Sequence, residues 1–307
     1  MISLEQKFYY ILNAFLLFAL AVFIIKSYLS AKKKKSGIFL KLSLAFAALG
    51  TANVLDMFLI EPNWIKTERA VIRDPQLAQV LKGIKVVQIS DIHMREIGFR
   101  EQQLVEKVNG LKPDILFITG DFFKVEHARD GVHYFGAVSE LIKSFKASVG
   151  IFGVLGNYDG YLSGNRERLK ELRLAGIDIL HNESREVLLP NGNSLWMAGA
   201  RYCTCHNQEN EFRKSLLAVP PDSPTILLNH YPDVFGRASS AGINLVLAGH
   251  THGGQINIPF LIHMSNSANK SKYMSGLFDA GKTKMYVNRG IGTTNVSARL
   301  YCRPEIT

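Results

Sequence analysis

The chain has 307 residues, 47% of them apolar, and a formal net charge of +10. That length and composition support one large buried core or two smaller ones and exclude wholesale disorder. Residues 1–80 hold ten Lys/Arg against five Asp/Glu, so about half of the excess charge sits near the N-terminus, which points to a membrane surface and away from nucleic acid.

The first predicted element is apolar. Phe8 to Ile25, FYYILNAFLLFALAVFII, has no charged residue and is close to the length that crosses a bilayer core of roughly 30 Å. A transmembrane helix is predicted over about 8–29. A cleaved signal peptide would need a shorter apolar region, a more basic start and a small-residue cleavage site, which LSAKKKK does not offer. The run Lys32 to Lys35, flanked by Lys26 and Lys41, is expected to stay cytoplasmic. A second apolar segment follows over about 42–60. Its stretch Leu42 to Leu55 is bounded by Lys41 and Asp56 and interrupted by Gly50, Thr51 and Asn53; it is expected to lie along the membrane surface. Residues 1–61 then form a membrane-anchoring segment, and 62–307 a domain on the cytoplasmic face of the cytoplasmic (inner) membrane. A spanning second segment would put that domain on the other side. Cys203, Cys205 and Cys302 lack zinc-site spacing and are expected to be free buried thiols, as suits a reducing compartment.

From about Ile84, short β-branched runs alternate with amphipathic ones: IKVVQIS, REQQLVEKVNGLKP, DILFITG, VSELIKSF. This is α/β patterning with buried strands. Later strand candidates are SLWMAGA, TILLNH, LVLAGH and MYVNRG, which suit a second sheet packed on the first.

The strands end in polar residues. IKVVQIS runs into Asp91-Ile92-His93, DILFITG into Asp121, VGIFGVLG into Asn157-Tyr158-Asp159, TILLNH ends at His230, and LVLAGH runs into His250-Thr251-His252. Ligands of α/β sheets bind beyond the carboxyl ends of strands, so these ends imply one shared site. Asp, Asn and His supply oxygen and imidazole ligands suited to manganese, iron or zinc rather than calcium. In an extended loop, Asp-x-His and His-x-His point both side chains to one side. Such a set can hold two ions and carry out two-metal hydrolysis. Taken alone, LGNYDG also reads as an ordinary turn; the other strand ends favour a ligand at Asn157.

In its ordered motifs DIH (91–93), GD (120–121), GNYD (156–159), NH (229–230) and GHTH (249–252), the chain resembles the calcineurin-like metallophosphoesterases. The wording GHTHGGQINIP followed by YVNRGIGTT resembles their membrane-associated YkuE/YaeI-type branch. The resemblance covers roughly residues 84–300. It implies a four-layer α/β/β/α sandwich preceded by the membrane anchor, with Asp91, His93 and His252 on one divalent ion, Asn157, His230 and His250 on a second, and Asp121 bridging. Manganese is the first expectation, with iron or zinc as alternatives. Asp159 would orient a neighbouring ligand or catalytic group.

Tyr158 departs from the family, which usually has histidine there to polarise the phosphoryl group or protonate the leaving oxygen. A phenol with a pKa of about 10 is a poor proton source at neutral pH, and its lack of acidity matters least when the leaving group is itself a phosphate. The branch includes UDP-2,3-diacylglucosamine pyrophosphatases of lipid A synthesis. The resemblance therefore implies a membrane enzyme giving UMP and 2,3-diacylglucosamine 1-phosphate from that lipid-linked nucleotide. Asn157, Tyr158 and Asp159 are the catalytic candidates beside the metals. His127 and Arg289 are candidates for substrate phosphate, and Ile258 to Met264 for acyl chains, with surface roles and a half-buried strand as the respective alternatives. The alternatives to the whole reading are a phosphodiesterase or phosphatase for other lipid or cell-envelope phosphoesters, and a non-catalytic scaffold of the same fold.

Overall fold

The β-branched and aromatic runs become strands buried on both faces. The computed structural model of the protein describes residues 25, 26, 28, 29, 37–124, 128–162, 166–201, 208–258, 262–264 and 271–307. Residues 8–24 of the first apolar stretch, the lysine run, His127, Cys203 and Cys205 lie outside the described residues. In chain order the elements are α1 (Gly37–Leu55), β1 (Lys66–Thr67), α2 (Pro75–Val80), β2 (Val86–Ile89), α3 (Phe99–Leu111), β3 (Ile115–Thr119), α4 (Ala128–Ser144), β4 (Gly150–Val154), α5 (Arg166–Leu174), β5 (Ile177–Ile179), β6 (Glu183–Leu188), β7 (Ser194–Gly199), α6 (Gln208–Leu216), β8 (Thr225–Leu228), α7 (Phe235–Ser240), β9 (Leu245–Ala248), β10 (Ile256–Ile258), β11 (Ile262–Met264), β12 (Gly276–Ala280), β13 (Thr283–Val287) and β14 (Glu305–Ile306).

One sheet has the order β2-β3-β4-β5, all parallel. The other has the order β12-β13-β9-β8-β7-β6, parallel from β13 to β7 with antiparallel outer strands. Alternation along each strand assigns its residues to layers. Ile115, Phe117, Phe152 and Val154 of the first sheet meet Met197, Ile226, Leu228, Leu245 and Leu247 of the second. On the outer face of the first sheet, Leu116, Ile118 and Ile151 pack on Leu104 and Val108 of α3, Val138, Leu141 and Ile142 of α4, and Leu172 of α5. On the outer face of the second, Leu227, Val246, Met285 and Val287 pack on Phe212 of α6 and Phe235 and Ala238 of α7. The result is the α/β/β/α sandwich that the motifs implied.

The segment Ile258 to Met264 contributes to a hairpin, β10 and β11, pairing Ile256 with Met264 and Ile258 with Ile262.

Ahead of the domain, α1 continues through a wider turn at Asp56–Ile60 into a tighter one at Glu61–Asn63. Leu42, Leu44, Phe46, Leu49, Val54 and Leu55 are exposed, so its apolar side chains point in all directions. A helix lying on a membrane surface concentrates them on one face; a helix that is apolar all round is one surrounded by lipid or core. Among the described residues, the 23 from Lys41 to Asn63 are long and apolar enough to cross a membrane. The end of this helix is fastened to the domain. Met57 packs on Ile256 and Ala298, Arg299 N donates to Met57 O at 2.9 Å, and the Glu61 carboxylate accepts from the backbone of Tyr301 at 2.8 Å and of Cys302.

Candidate metal centre

All the expected ligands stand in the turns that leave the carboxyl ends of β2, β3, β4, β8 and β9, on one rim of the sandwich. The local conformation differs from an extended loop. Asp91 (φ 49°), His93 (φ 45°), Asp121 (φ 54°), His250 (φ 71°) and His252 (φ 52°) are all left-handed, each at a cost of about 1–2 kcal/mol for a residue with a side chain. Asp91 and His93 converge through two reversed residues, not through strand alternation. Such strain persists where the surroundings over-determine it. Here Asp91 N donates to Gly120 O at 2.9 Å, His93 N to Asp121 O at 3.0 Å and Gly292 N to Asp91 O at 2.6 Å.

The side-chain atoms meet in two adjoining groups that could hold metal ions, Asp91 with His93 and His252, and Asp121 with His230 and His250. His93 Nε2 lies 3.1 Å from His252 Nε2, and Asp91 Oδ1 lies 3.4 Å from His252 Nε2. His230 Nε2 lies 3.1 Å from His250 Nδ1 and 3.1 Å from Asn157 Oδ1. Asp121 Oδ2 stands between the groups, 3.5 Å from His93 Nε2 and 3.1 Å from His230 Nε2. Two ligands at about 2.1 Å on adjacent positions of one ion stand about 3.0 Å apart, so these spacings fit divalent metal. Buried imidazole nitrogens aimed at each other also have no more than one proton to share unless a cation lies between them.

Burial lowers His93 to about 4 and holds His252 well below the ordinary histidine value. Both are neutral near pH 7, the form that binds metal. Burial would lower His230 too, but the carboxylates of Asp121 and Asp91 raise it to about 10. Burial raises Asp91 to about 6. The concentration of carboxylate and imidazole therefore already favours a positive charge at this point.

Asp159 is fully buried and turned toward backbone. Its Oδ2 accepts from Asp121 N (2.8 Å) and Gly156 N (2.9 Å), and its Oδ1 from Phe122 N (3.0 Å) and Phe123 N (3.4 Å). It ties the β3 turn to the β4 turn. A side chain at Gly156 would overlap the Asp121 carboxylate, and one at Gly249 would overlap Ser90 Oγ and the Asp91 carboxylate, which explains a glycine before Asn157 and before His250.

Tyr158 is half-buried, its backbone N donating to Asp121 Oδ1 at 2.8 Å and its ring set edge-on to His93. Arg289 is not aimed at the ligands. Its guanidinium is bound by Glu305 and, at 2.7 Å, by Glu68. His127 lies outside the described residues.

Several contributors carried no sequence signal of their own. Ser90 Oγ donates to Asp91 Oδ2 at 2.6 Å, and the Tyr231 ring lies against His250, tilted by 39° with ring centroids 3.8 Å apart. The Cys302 thiol donates to His252 O at 3.1 Å. Arg299, fully buried, donates to the carbonyls of Arg289 (2.9 Å), Gly290 (3.1 Å), Gly292 (2.6 Å) and Cys302 (2.9 Å). It thereby shapes the loop lying over Asp91.

Residues 84–254 match the family described as calcineurin-like phosphoesterase. The chain is 30% identical over 250 residues to the uncharacterized metallophosphoesterase YkuE of Bacillus subtilis, covering 81% of this chain and 86% of that one. It is 27% identical over 299 residues to the UDP-2,3-diacylglucosamine pyrophosphatase LpxG of Chlamydia muridarum (80% and 89% covered). It is 26% identical over 267 residues to the phosphodiesterase YaeI of Escherichia coli (82% and 90% covered).

Proposed function

Because this chain belongs to the calcineurin-like phosphoesterases, whose activity is metal-dependent phosphoester hydrolysis, we propose that it hydrolyses the diphosphate of a lipid-linked nucleotide sugar at the membrane, with UDP-2,3-diacylglucosamine as first candidate. The products would be UMP and 2,3-diacylglucosamine 1-phosphate. The observation that carries this reading is Tyr158 where a proton donor is usual, beside a complete set of converging ligand atoms. The similarity to LpxG supports it.

Asp91, His93 and His252 would hold one ion, and Asn157, His230 and His250 the other, with Asp121 shared. Two divalent ions, manganese first and iron or zinc as alternatives, supply a nucleophilic water and neutralise phosphoryl charge when bound. Asp159 positions Asp121 through the backbone. Tyr158 fixes the His93 ring and leaves the departing phosphate to leave without a strong acid. The domain would work at the cytoplasmic face of the inner membrane, held there by the first apolar segment and the lysine run.

A second reading is favoured by the all-round apolar α1 and by the similarity to YaeI. If α1 spans, with Lys32–Lys35 inside, the domain faces outward and hydrolyses a phosphodiester of another envelope lipid. The purified full chain incubated with UDP-2,3-diacylglucosamine and manganese, followed by mass analysis, tests the first reading; UMP is expected. Absence of UMP together with cleavage of a lipid phosphodiester, and a C-terminal reporter active only outside the cytoplasm, would establish the second.

A further inference from the structure

A second cavity, of about 320 Å3, opens where α1 meets the domain, lined by Asp56, Glu61, Trp64, Lys66, Tyr301 and Arg303 together with Arg289. It contains none of the metal-centre residues. Its height along the helix is informative. The 19 residues of α1 cover about 28 Å at 1.5 Å per residue, close to a hydrocarbon core. Asp56 to Trp64 would then lie in the adjoining headgroup layer.

The lining suits that layer. Trp64 and Tyr301 are 55% and 60% exposed, and rings of this kind concentrate at the level of lipid headgroups. Arg303 stacks its guanidinium over the Trp64 ring at 3.8 Å and donates Nε to Trp64 O at 3.0 Å. The remaining charges are largely committed. Glu61 accepts from two backbone amides, Arg289 is held between Glu68 and Glu305, and Lys66 pairs with Glu68 at 2.6 Å. Arg303 and Asp56 remain as one cation and one acid in the same small cavity. A purely anionic headgroup would satisfy Arg303 and oppose Asp56. A headgroup with a phosphate next to a primary ammonium satisfies both.

We propose that this juxtamembrane cavity seats the phosphoethanolamine headgroup of a zwitterionic glycerophospholipid, phosphate on Arg303 and ammonium on Asp56, between the rings of Trp64 and Tyr301. The seat rests on the membrane-crossing α1 of the second reading above, not on the substrate of either reading. Glu61 binds the backbone of Tyr301 and Cys302, and the Cys302 thiol reaches His252 O. An occupied seat therefore fixes the metal-bearing loop against the bilayer surface.

Trp64 and Trp196 are the only tryptophans, so the full chain carrying Trp196→Phe reports on the cavity through Trp64 emission. In maltoside micelles, titrated phosphatidylethanolamine should give a saturable change, and phosphatidylglycerol a weaker one. Arg303→Gln should weaken the response about tenfold, the size expected for a lost charge-assisted hydrogen bond. Asp56→Asn should abolish the preference for ethanolamine over glycerol headgroups while retaining binding. Flotation with phosphatidylcholine vesicles measures membrane association separately. The seat is overturned if a chain that floats gives no saturable response, if phosphatidylglycerol binds at least as well in the unaltered cavity, or if inorganic phosphate alone reproduces the change. A chain that stays off vesicles overturns the anchoring reading and the seat with it.

Discussion

The ring of Tyr158 stands edge-on to the imidazole of His93, with centroids 4.8 Å apart and planes at 89°. The residue that departs from the family motif therefore touches a candidate metal ligand directly, and its bulk and its hydroxyl can be separated by mutation. Tyr158→Phe keeps the ring contact and should cost about 1.5–3 kcal/mol at most on a diphosphate substrate. Loss of a required general acid would instead cost about 100-fold to 10,000-fold. Tyr158→His should raise the relative rate on alkyl phosphate esters, because imidazolium donates a proton near neutral pH. The check is the ratio of diphosphate to alkyl-ester turnover in the three proteins at saturating metal; a constant ratio removes Tyr158 from leaving-group selection.

Metal removal should abolish hydrolysis without unfolding the sandwich, because the cores on both sheets contain no ligand residue. Chelation, Asp121→Ala and His250→Ala are each expected to leave far-ultraviolet circular dichroism unchanged and turnover near background. Elemental analysis should find reduced metal in both variants. A folded, metal-depleted variant with near-full activity would refute the dimetal mechanism.

The motif glycines give a steric test with an internal control. Gly156→Ala and Gly249→Ala push a methyl group into the carboxylates of Asp121 and Asp91, whereas a methyl at Gly160 meets nothing within 4 Å. Calorimetric metal titration should show strong loss of affinity for the first two and little change for Gly160→Ala. Equal behaviour of all three would mean that the turns relax freely.

Asp159→Asn exchanges one acceptor oxygen for an amide that faces backbone N–H groups. Each donor left unpaired in the interior costs about 1–3 kcal/mol, and the donors at stake include Asp121 N and Gly156 N. Denaturant unfolding should report the lost stability, and metal affinity should fall with it. Unaltered stability with a purely catalytic defect would instead assign Asp159 to the chemistry.

The sequence alone determined the strands and the chemistry at their ends. A short apolar run without alternation reads as a strand buried on both faces, and Ile115 to Thr119 is such a run. Metal ligation also restricts residue type, so DIH, GD, GN, H and GHTH pointed to a ligand set before any distance was known; the structure brings Asp91, His93 and His252 together, and Asp121, His230 and His250. The second apolar segment was less legible, because a count of apolar residues does not say which way they face; their exposure on all sides of α1 does.

Tertiary structure alone decided the relationships that no local pattern encodes. Arg289 meets Glu68, 221 positions away, an ion pair that no local pattern announces. Glu61 meets Cys302, 241 positions away, and links the end of the apolar helix to the loop of His252. The left-handed turns at Asp91, His93, Asp121, His250 and His252 belong to the same class. Aspartate and histidine enter that backbone region more readily than most side-chain-bearing residues but still at a cost, and surrounding hydrogen bonds from distant strands offset it.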